Sequence, residues 1–479
     1  MPDRMMQYVS VPQRQPDRRA AAERRADFAE VYRRFEPHEA AEQSSRCEQC
    51  GVPYCSVHCP LGNNIPDWLK LTAEGRLDEA YELASATNNF PEICGRICPQ
   101  DRLCEGNCVI EKGHGAVTIG AVETFITENA FAQGWIKPRR PHGERGLSVG
   151  IVGSGPAGLT AAEELRAEGY SVVIYESGDR PGGLMMYGIP NFKLEKKVVF
   201  RRVALLEEQG VRFRLNCTIG RDLSLAELRR RHAAVLLAPG AYKARELAAP
   251  GSGLGAIVPA LEYLIAANRV GLDDSVPEFE SGVLDARGKR VIVIGGGDTA
   301  MDCVRTAVRQ GARSASCLYR RDRANMPGSA REVSNAVEEG VEFIWLSAPK
   351  AFLGTERVNA VQGARMRLGL TDASGRQSVE PADAPPFRLE ADLVVKALGF
   401  DPEDLREALS EPELALTRWG TIRAHHRTLM TNLPGVFAAG DIVRGASLVV
   451  WAIRDGREAA MGIQAYLEAD AAFVSVAAE

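Results

Sequence analysis

Apolar and polar positions are patterned in three different ways along this chain, and each pattern predicts a different kind of structure. Between residues 10 and 46 charges of both signs are mixed. Phe28, Val31, Tyr32 and Phe35 recur there at i, i+3, i+4 and i+7, which predicts a mixed-charge docking helix with one apolar face. From Ser44 to about Gly115 cysteines stand among Pro and Gly, with short helical stretches such as Asp67–Ala84 between them. That texture predicts a small, mainly helical domain organised around something other than a large apolar core. Near Arg139–Arg145 the composition turns to Pro, Gly and charge, which reads as a linker. Beyond it, short apolar runs end in glycine turns that open helices, the signature of α/β architecture.

A unit of strand, glycine loop, helix and strand starts at Ser148 and again at Arg290. The chain is therefore expected to divide into a helical cysteine domain at 1–145, a first nucleotide domain at 146–245 completed by 401–479, and a second at 246–400. At about 150 residues per domain, 479 residues fit that organisation. The 45% hydrophobic and 25% charged fractions are those of globular proteins and exclude disordered and fibrous classes. With 58 basic against 63 acidic side chains no sign dominates, so nucleic acid is not an expected partner. The longest apolar stretches, such as Ala446–Ile453, reach about eight residues against the roughly 20 of a spanning helix. The polar start at Met1 has no signal-peptide core, so no membrane contact and a cytoplasmic location are expected.

The first unit reads Val149-Gly150-Ile151-Val152, then Gly153-Ser154-Gly155-Pro156-Ala157-Gly158, a helix with Leu159, Ala162 and Leu165 inward, and a strand ending at Glu176. A glycine loop that follows a strand, opens a helix and precedes a carboxylate at the next strand end is the full dinucleotide-binding context. Gly153 permits the turn, Gly155 the close approach of a pyrophosphate, and Gly158 helix packing, while Glu176 can accept from a ribose hydroxyl. The second unit reads Val291–Ile294, then Gly295-Gly296-Gly297-Asp298-Thr299-Ala300, and a strand through Cys317-Leu318. The position matching Glu176 is expected at Leu318, followed by Tyr319, Arg320 and Arg321. Without a carboxylate to repel a 2′-phosphate, and with two guanidiniums to clamp it, this loop is expected to take NADPH rather than NADH. The alternative for these arginines is a solvated edge.

Eight of the 11 cysteines lie between Cys47 and Cys108. They read Cys47-x2-Cys50-x4-Cys55-x3-Cys59-Pro60 and Cys94-x3-Cys98-x5-Cys104-x3-Cys108. The first run departs from the bacterial ferredoxin spacing only in its middle spacer and keeps the final Cys-Pro, which points to two iron–sulfur clusters. Disulfides suit small secreted domains, and structural zinc takes paired CxxC knuckles where this chain has one; both stay behind the cluster reading. Cys303 and Cys317, without a CxxC, read as buried small hydrophobes, and no cysteine pair marks a disulfide reductase.

A third signal is the short strand Gly435–Ala439 ending in Gly440-Asp441 before an apolar helix around Leu448–Ile453. It resembles the second flavin motif of flavoprotein reductases related in fold to glutathione reductase, which implies FAD at the first loop, with Gly183 and Asp441 among its contacts. Leu236–Gly240 and Ala397–Gly399 resemble that family's crossover segments, with the chain leaving near Ala241 and returning near Phe400. Three stretches, Arg46–Cys55, Asn88–Pro99 and Gly440–Ile453, make the whole chain resemble the small (β) subunits of bacterial NADPH-dependent glutamate synthases. It is similar, too, to the N-terminal half of dihydropyrimidine dehydrogenases.

The resemblance implies one 4Fe-4S cluster on Cys47, Cys50, Cys55 and Cys108. A second would sit on Cys59, Cys98 and Cys104, with an oxygen ligand that Glu123 supplies; Cys94, which spacing alone favours, aligns with a non-ligating cysteine. It further implies electron flow from NADPH through FAD and the clusters to a large (α), FMN-bearing subunit that makes two L-glutamate from L-glutamine and 2-oxoglutarate, within a hetero-oligomer. Such chemistry is carried by cofactors and asks for no catalytic side chain, and none of the seven His stands in a nucleophile or metal motif. The rivals are a subunit of another FAD and iron–sulfur NAD(P)H oxidoreductase, such as a ferredoxin:NADP oxidoreductase large subunit, and a nucleotide-binding scaffold subunit without turnover.

Overall fold

A computed structural model of the protein describes residues 6–371 and 377–477, with side chains described up to residue 469. The first five residues, which belong to the polar start, and residues 478–479, at the end of the last expected domain, lie outside the described residues. Among the described residues no helix is long and apolar enough to cross a membrane.

The cysteine region is helical. Helices Pro37–Ser45, Ile65–Ala73, Leu77–Thr87 and Ile119–Ala132 close on a core of Ile65, Trp68, Val122 and Ile126. The stretch 67–84 is two helices rather than one, because Gly75 turns the chain at φ +76°. Helix Pro91–Ile97 packs beside Ile119–Ala132, and its buried Glu92 forms a two-pronged ion pair with buried Arg202 at 2.8 and 2.9 Å. Arg202 belongs to helix Lys196–Gln209 beyond the linker, so this pair joins two parts of the molecule.

Residues 28–35 are not the expected helix. Helix Ala21–Ala26 ends at Asp27, whose carboxylate takes the Ala29 N–H at 3.0 Å and pairs with Arg19, a local turn that stops the helix. The chain then runs extended, bridging Arg18 to Tyr32 and donating from Val31 N to Phe192 O at 3.2 Å. Val31 and Phe35 are buried as expected, but hydrogen bonds to neighbouring segments replace those of a helix.

Two parallel five-stranded sheets follow. The first comprises β1 (Ser148–Val152), β2 (Ser171–Tyr175), β3 (Arg212–Arg214), β4 (Ala234–Leu237) and a late strand, Val436–Ala438, in the order late strand, β4, β1, β2, β3. The chain leaves this sheet through β5 (Lys243–Ala244) and builds a second one from β6 (Ile257–Pro259), β7 (Arg290–Ile294), β8 (Ser314–Leu318) and β9 (Glu342–Ile344). An antiparallel insertion, β10 (Ser347–Gly354), β11 (Val358–Thr371), β12 (Gln377–Pro381) and β13 (Phe387–Glu390), precedes β14 (Leu393–Lys396), which enters the second sheet between β6 and β7. That insertion has no counterpart among the sequence expectations. The return strand β15 (Phe400–Asp401) pairs antiparallel with β5, Phe400 opposite Ala244, so exit and re-entry run side by side. The late strand is β16, and it pairs in parallel with β4. Both sheets put the strand before their glycine loop at the centre, at the point where strand order reverses and loops part to admit a ligand. The final helix, Val449–Ala477, lies against helix Pro156–Ala167 so closely that a Cβ at Gly456 would stand 2.4 Å from Ala157 O.

Candidate functional site

The first glycine loop opens into a cavity of about 410 Å³ between β1, β4 and the Gly440-Asp441 turn. Gly153, at φ +95°, passes under Ala238, where a Cβ would stand 2.3 Å from the carbonyl oxygen. A Cβ at Gly158 would meet Gly153 O at 2.1 Å, whereas one at Gly155 would meet nothing within 4 Å. The space above Gly155 is thus a cradle open to a ligand, at the N-terminus of a 12-residue helix begun by Pro156 and Ala157. Glu176 is held there: Oε2 accepts from Ser154 N at 2.9 Å and from Ser154 Oγ, and Oε1 from Gly178 N at 2.7 Å. The remaining contact to Oε1, from exposed Ser177 Oγ at 3.2 Å, is one a rotating hydroxyl can yield to a ribose. Gly183 closes on the loop from the other side, its Cβ position 2.9 Å from Gly155 Cα.

Asp441 also lines this cavity, next to Gly440, whose Cβ position lies 3.1 Å from Ala157 Cβ, and burial pushes the Asp441 carboxyl up to about 6. Tyr242, which no motif singled out, lines the cavity too and donates its backbone N–H to Glu403 Oε1 at 3.1 Å. Beneath the sheet, His232 joins Ser148 Oγ at 2.6 Å and Tyr175 OH at 2.9 Å, and burial holds its imidazole down to about 4, in the neutral form.

The second loop repeats this geometry with one correction to the sequence reading. Gly295 runs under Ala397, and Gly297 is open, with nothing within 4 Å of its Cβ position. Val152 pairs with Tyr175 and Ile294 with Leu318, so Leu318 matches Tyr175 and the residue matching Glu176 is Tyr319. The slip arises because β8 starts one residue later after its glycine loop than β2 does. Tyr319 carries no charge, so the absence of a carboxylate at this strand end stands. Its ring lies on Gly296 and its hydroxyl donates to Asn325 O at 3.0 Å. Arg320 is exposed at the strand end; Arg321 is half-buried and donates to Gln377 O at 3.2 Å. Thr299 and Ala300 follow in the first turn of helix Asp298–Arg309, and Asp298 accepts from Ser329 N at 2.9 Å and pairs with Arg102 at 3.2 Å. Cys303 and Cys317 are buried in the apolar core of this domain.

The structure brings the clustered cysteines together in two groups. Cys47, Cys50, Cys55 and Cys108 surround one cavity. Cys59, Cys94, Cys98 and Cys104 surround another, together with Glu123. Burial pushes the Cys47 thiol up to about 12 and those of Cys55 and Cys59 up to about 11, so each cage favours neutral thiols until a cation compensates the thiolates. Arg46 locks the first cage, its buried guanidinium donating to the carbonyls of Val11, His114, Gly115 and Ala116.

In the second cage Glu123 Oε1 accepts from Asn88 Nδ2 at 3.0 Å and from Asn63 Nδ2 at 3.3 Å. Cys94 Sγ instead points its contact at Asn88 Oδ1, 3.7 Å away. Asn63 and Asn88 are buried partners that no spacing rule could have found.

The cavities stand in a row. Val449 lines the first-loop cavity and the adjacent Val450 lines the second cage; Ile119 lines both cages. Exposed Tyr54 and Val109 border the first cage, with exposed Val52 and Val57 near by in sequence.

Residues 24–135 match the family model of dihydropyrimidine dehydrogenase domain II, 4Fe-4S cluster, and residues 147–456 match that of pyridine nucleotide-disulphide oxidoreductases. The chain is 65% identical over 478 residues to a glutamate synthase (NADPH) small chain of Azospirillum brasilense, covering 99% of each. To the protein of the same name from Escherichia coli strain K12 it is 42% identical over 475 residues, covering 98% of this chain and 100% of that one. In fold it is similar to Mycobacterium tuberculosis FprA in complex with NADPH, at 21% identity and a TM-score of 0.59, over 69% of this chain and 86% of that one.

Proposed function

Because the chain belongs to the family of glutamate synthase (NADPH) small chains and is an NADPH oxidoreductase, we propose that it is the electron-input subunit of such an enzyme. In this reading reducing equivalents from NADPH pass through FAD and two 4Fe-4S clusters to a large subunit, which makes two L-glutamate from L-glutamine and 2-oxoglutarate. The observation that carries the reading is that the cavities adjoin one another, which would set bound redox cofactors close enough to exchange electrons. Val449 lines the first-loop cavity and its neighbour Val450 the second cage, and Ile119 lines both cages.

When bound, nicotinamide and flavin supply two-electron hydride chemistry and the clusters one-electron chemistry, so no side chain has to serve as acid or base. The chain's own residues hold and orient. Gly153, Gly155 and the helix after Pro156 would seat the flavin pyrophosphate, Glu176 its ribose, and Asp441 the flavin ribitol, beside Gly440. Gly295–Ala300 would seat the NADPH pyrophosphate, with Arg320 at its 2′-phosphate. Cys47, Cys50, Cys55 and Cys108 would hold one cluster, and Cys59, Cys98, Cys104 and Glu123 the other. The first cage, bordered by exposed apolar residues, is the natural exit toward the large subunit.

The test is anaerobic purification of the tagged chain with whatever large subunit accompanies it, followed by NADPH and NADH oxidation with and without glutamine plus 2-oxoglutarate. NADPH oxidation that requires both substrates and yields glutamate is expected. An intact complex that ignores both and reduces ferredoxin overturns the reading in favour of the rival reductase. Arg320→Ala is expected to lower the NADPH:NADH ratio of kcat/KM by about ten- to a hundredfold, the worth of hydrogen bonds to a charged group, with a smaller effect for Arg321→Ala because Arg321 already serves Gln377 O.

A further inference from the structure

The two glycine loops differ at one position in a way the fold itself has to answer. Where the first loop opens its helix with Pro156, the second opens with Asp298. An acid in the first turn occupies the positive end of the helix dipole, the same field that a phosphate would use, and two anions there repel. Asp298 is one-third exposed, so its charge is not hidden from a ligand seated over the open Gly297.

Its counter-charge comes from another part of the molecule. Arg102 Nη2 lies 3.2 Å from Asp298 Oδ2, reaching over from the turn between Cys98 and Cys104. That turn is built to stay in place. Asp101 accepts from Ala330 N at 2.9 Å and from Ser329 Oγ at 3.2 Å, at the N-terminus of helix Ala330–Glu338. Gln100 Nε2 donates to Gly95 O at 2.9 Å, and the turn packs so tightly on Gly106 that a Cβ there would stand 1.9 Å from Asp101 O. Two consecutive residues of a cysteine-bearing turn therefore grip the starts of two helices of the nucleotide domain. As a half-exposed ion pair, Arg102–Asp298 contributes little to stability, so its value has to be sought elsewhere.

We propose that Arg102, a residue of the iron–sulfur region, is part of the pyridine-nucleotide site: it neutralises Asp298 and thereby lets the helix N-terminus take the pyrophosphate of the dinucleotide. This deepens the reading of Gly295–Ala300 as the NADPH loop and rests on it. The site is then composite, and nucleotide affinity depends on the turn that carries two of the second cage's thiols. By reciprocity, whatever shifts that turn shifts nucleotide binding and the reverse.

The experiment is calorimetric titration of the anaerobically prepared holoprotein with NADP+ and, separately, with 2′-AMP, which lacks a pyrophosphate. Arg102→Ala is expected to weaken NADP+ about tenfold, the scale of one nearby charge at a partly exposed site, and to leave 2′-AMP binding unchanged. Arg102→Lys, which keeps the charge, is expected to restore most of the affinity. The double variant Arg102→Ala/Asp298→Asn, which removes both charges together, is expected to bind NADP+ within about threefold of wild type. NADP+ binding by Arg102→Ala equal to wild type overturns the proposal. So does an equal loss for 2′-AMP, which signals displacement of the domain, and so does a tenfold loss relative to wild type that persists in the double variant. A wild-type protein that binds no NADP+ at all overturns the loop assignment itself and the proposal with it.

Discussion

Replacing Gly155 by alanine separates the ligand cradle from the fold that makes it. Gly155 has φ −66° and ψ 178°, a conformation alanine adopts freely, and a Cβ there touches no protein atom within 4 Å. The folded apoprotein therefore gains a methyl group in empty space, and its stability is expected to be unchanged or raised by about 0.4–1 kcal/mol through the unfolded chain. Only a ligand approaching the loop backbone feels the change. Forcing one methyl into a close contact costs about 1–3 kcal/mol, so FAD affinity is expected to fall about five- to 150-fold.

Gly158→Ala, three residues along, is expected to do the opposite. Its Cβ would stand 2.1 Å from Gly153 O, so the fold itself gives way. Gly297→Ala, at φ −87° with nothing within 4 Å, is the counterpart in the second loop and is expected to spare FAD while weakening NADP+ by a similar factor. The assay is flavin absorbance after purification, FAD titration of the deflavinated protein, NADP+ titration, and thermal melting followed by far-UV circular dichroism. Full FAD affinity in Gly155→Ala, or loss of FAD rather than NADP+ in Gly297→Ala, refutes the assignment of the two loops.

Three further outcomes follow from particular contacts. Glu92→Ala leaves the Arg202 guanidinium buried without its partner and is expected to cost about 3–5 kcal/mol, read as a lowered melting midpoint, whereas Glu92→Leu with Arg202→Met is expected to recover most of it. Cys94→Ser is expected to keep about eight iron atoms per chain, while Cys98→Ser, Cys104→Ser and Glu123→Ala each lose part of them; iron halved in Cys94→Ser would move the ligand role to Cys94. His232 is held neutral below its ordinary value of 6.5, so the stability it contributes is complete above that pH and is lost as pH falls from 6.5 toward about 4. The melting midpoint of wild type is expected to drop more than that of His232→Gln across this window, and parallel curves would contradict the assignment.

What the sequence discloses is what a few consecutive residues dictate. The glycine loops and the Gly440-Asp441 turn depend on local spacing, and the structure forms each of them where the pattern lies; Cys108 joins Cys47, Cys50 and Cys55 around one cavity from the far end of the cysteine region, a grouping that only the family resemblance implied. Periodicity misleads where hydrogen bonding to a distant segment decides the backbone, as at Phe28–Phe35, whose apolar period survives in burial but not in helix. Counting by analogy fails by one residue at Leu318, because loop lengths after a helix are free to vary. Spacing alone favours Cys94 over Glu123, since nothing in sequence tells that Asn88 sits between them. Arg102 and Asp298 lie 196 positions apart, beyond any pattern read along the chain.

The late entry of β16 has a consequence for how the protein is made. The first sheet is complete only when Val436–Ala438 pairs with β4, and by then the whole second sheet and its antiparallel insertion have left the ribosome. The second sheet, β6 to β14, closes from one continuous stretch and has no such wait. Domains fold as units in the order in which they become complete. The second sheet is thus expected to fold before the first, and, with FAD at the first loop as proposed, its capture is expected at the end of synthesis, when the Gly440-Asp441 turn first closes the cavity. A flavin-free nascent chain is then expected, with flavin binding as a late step of maturation.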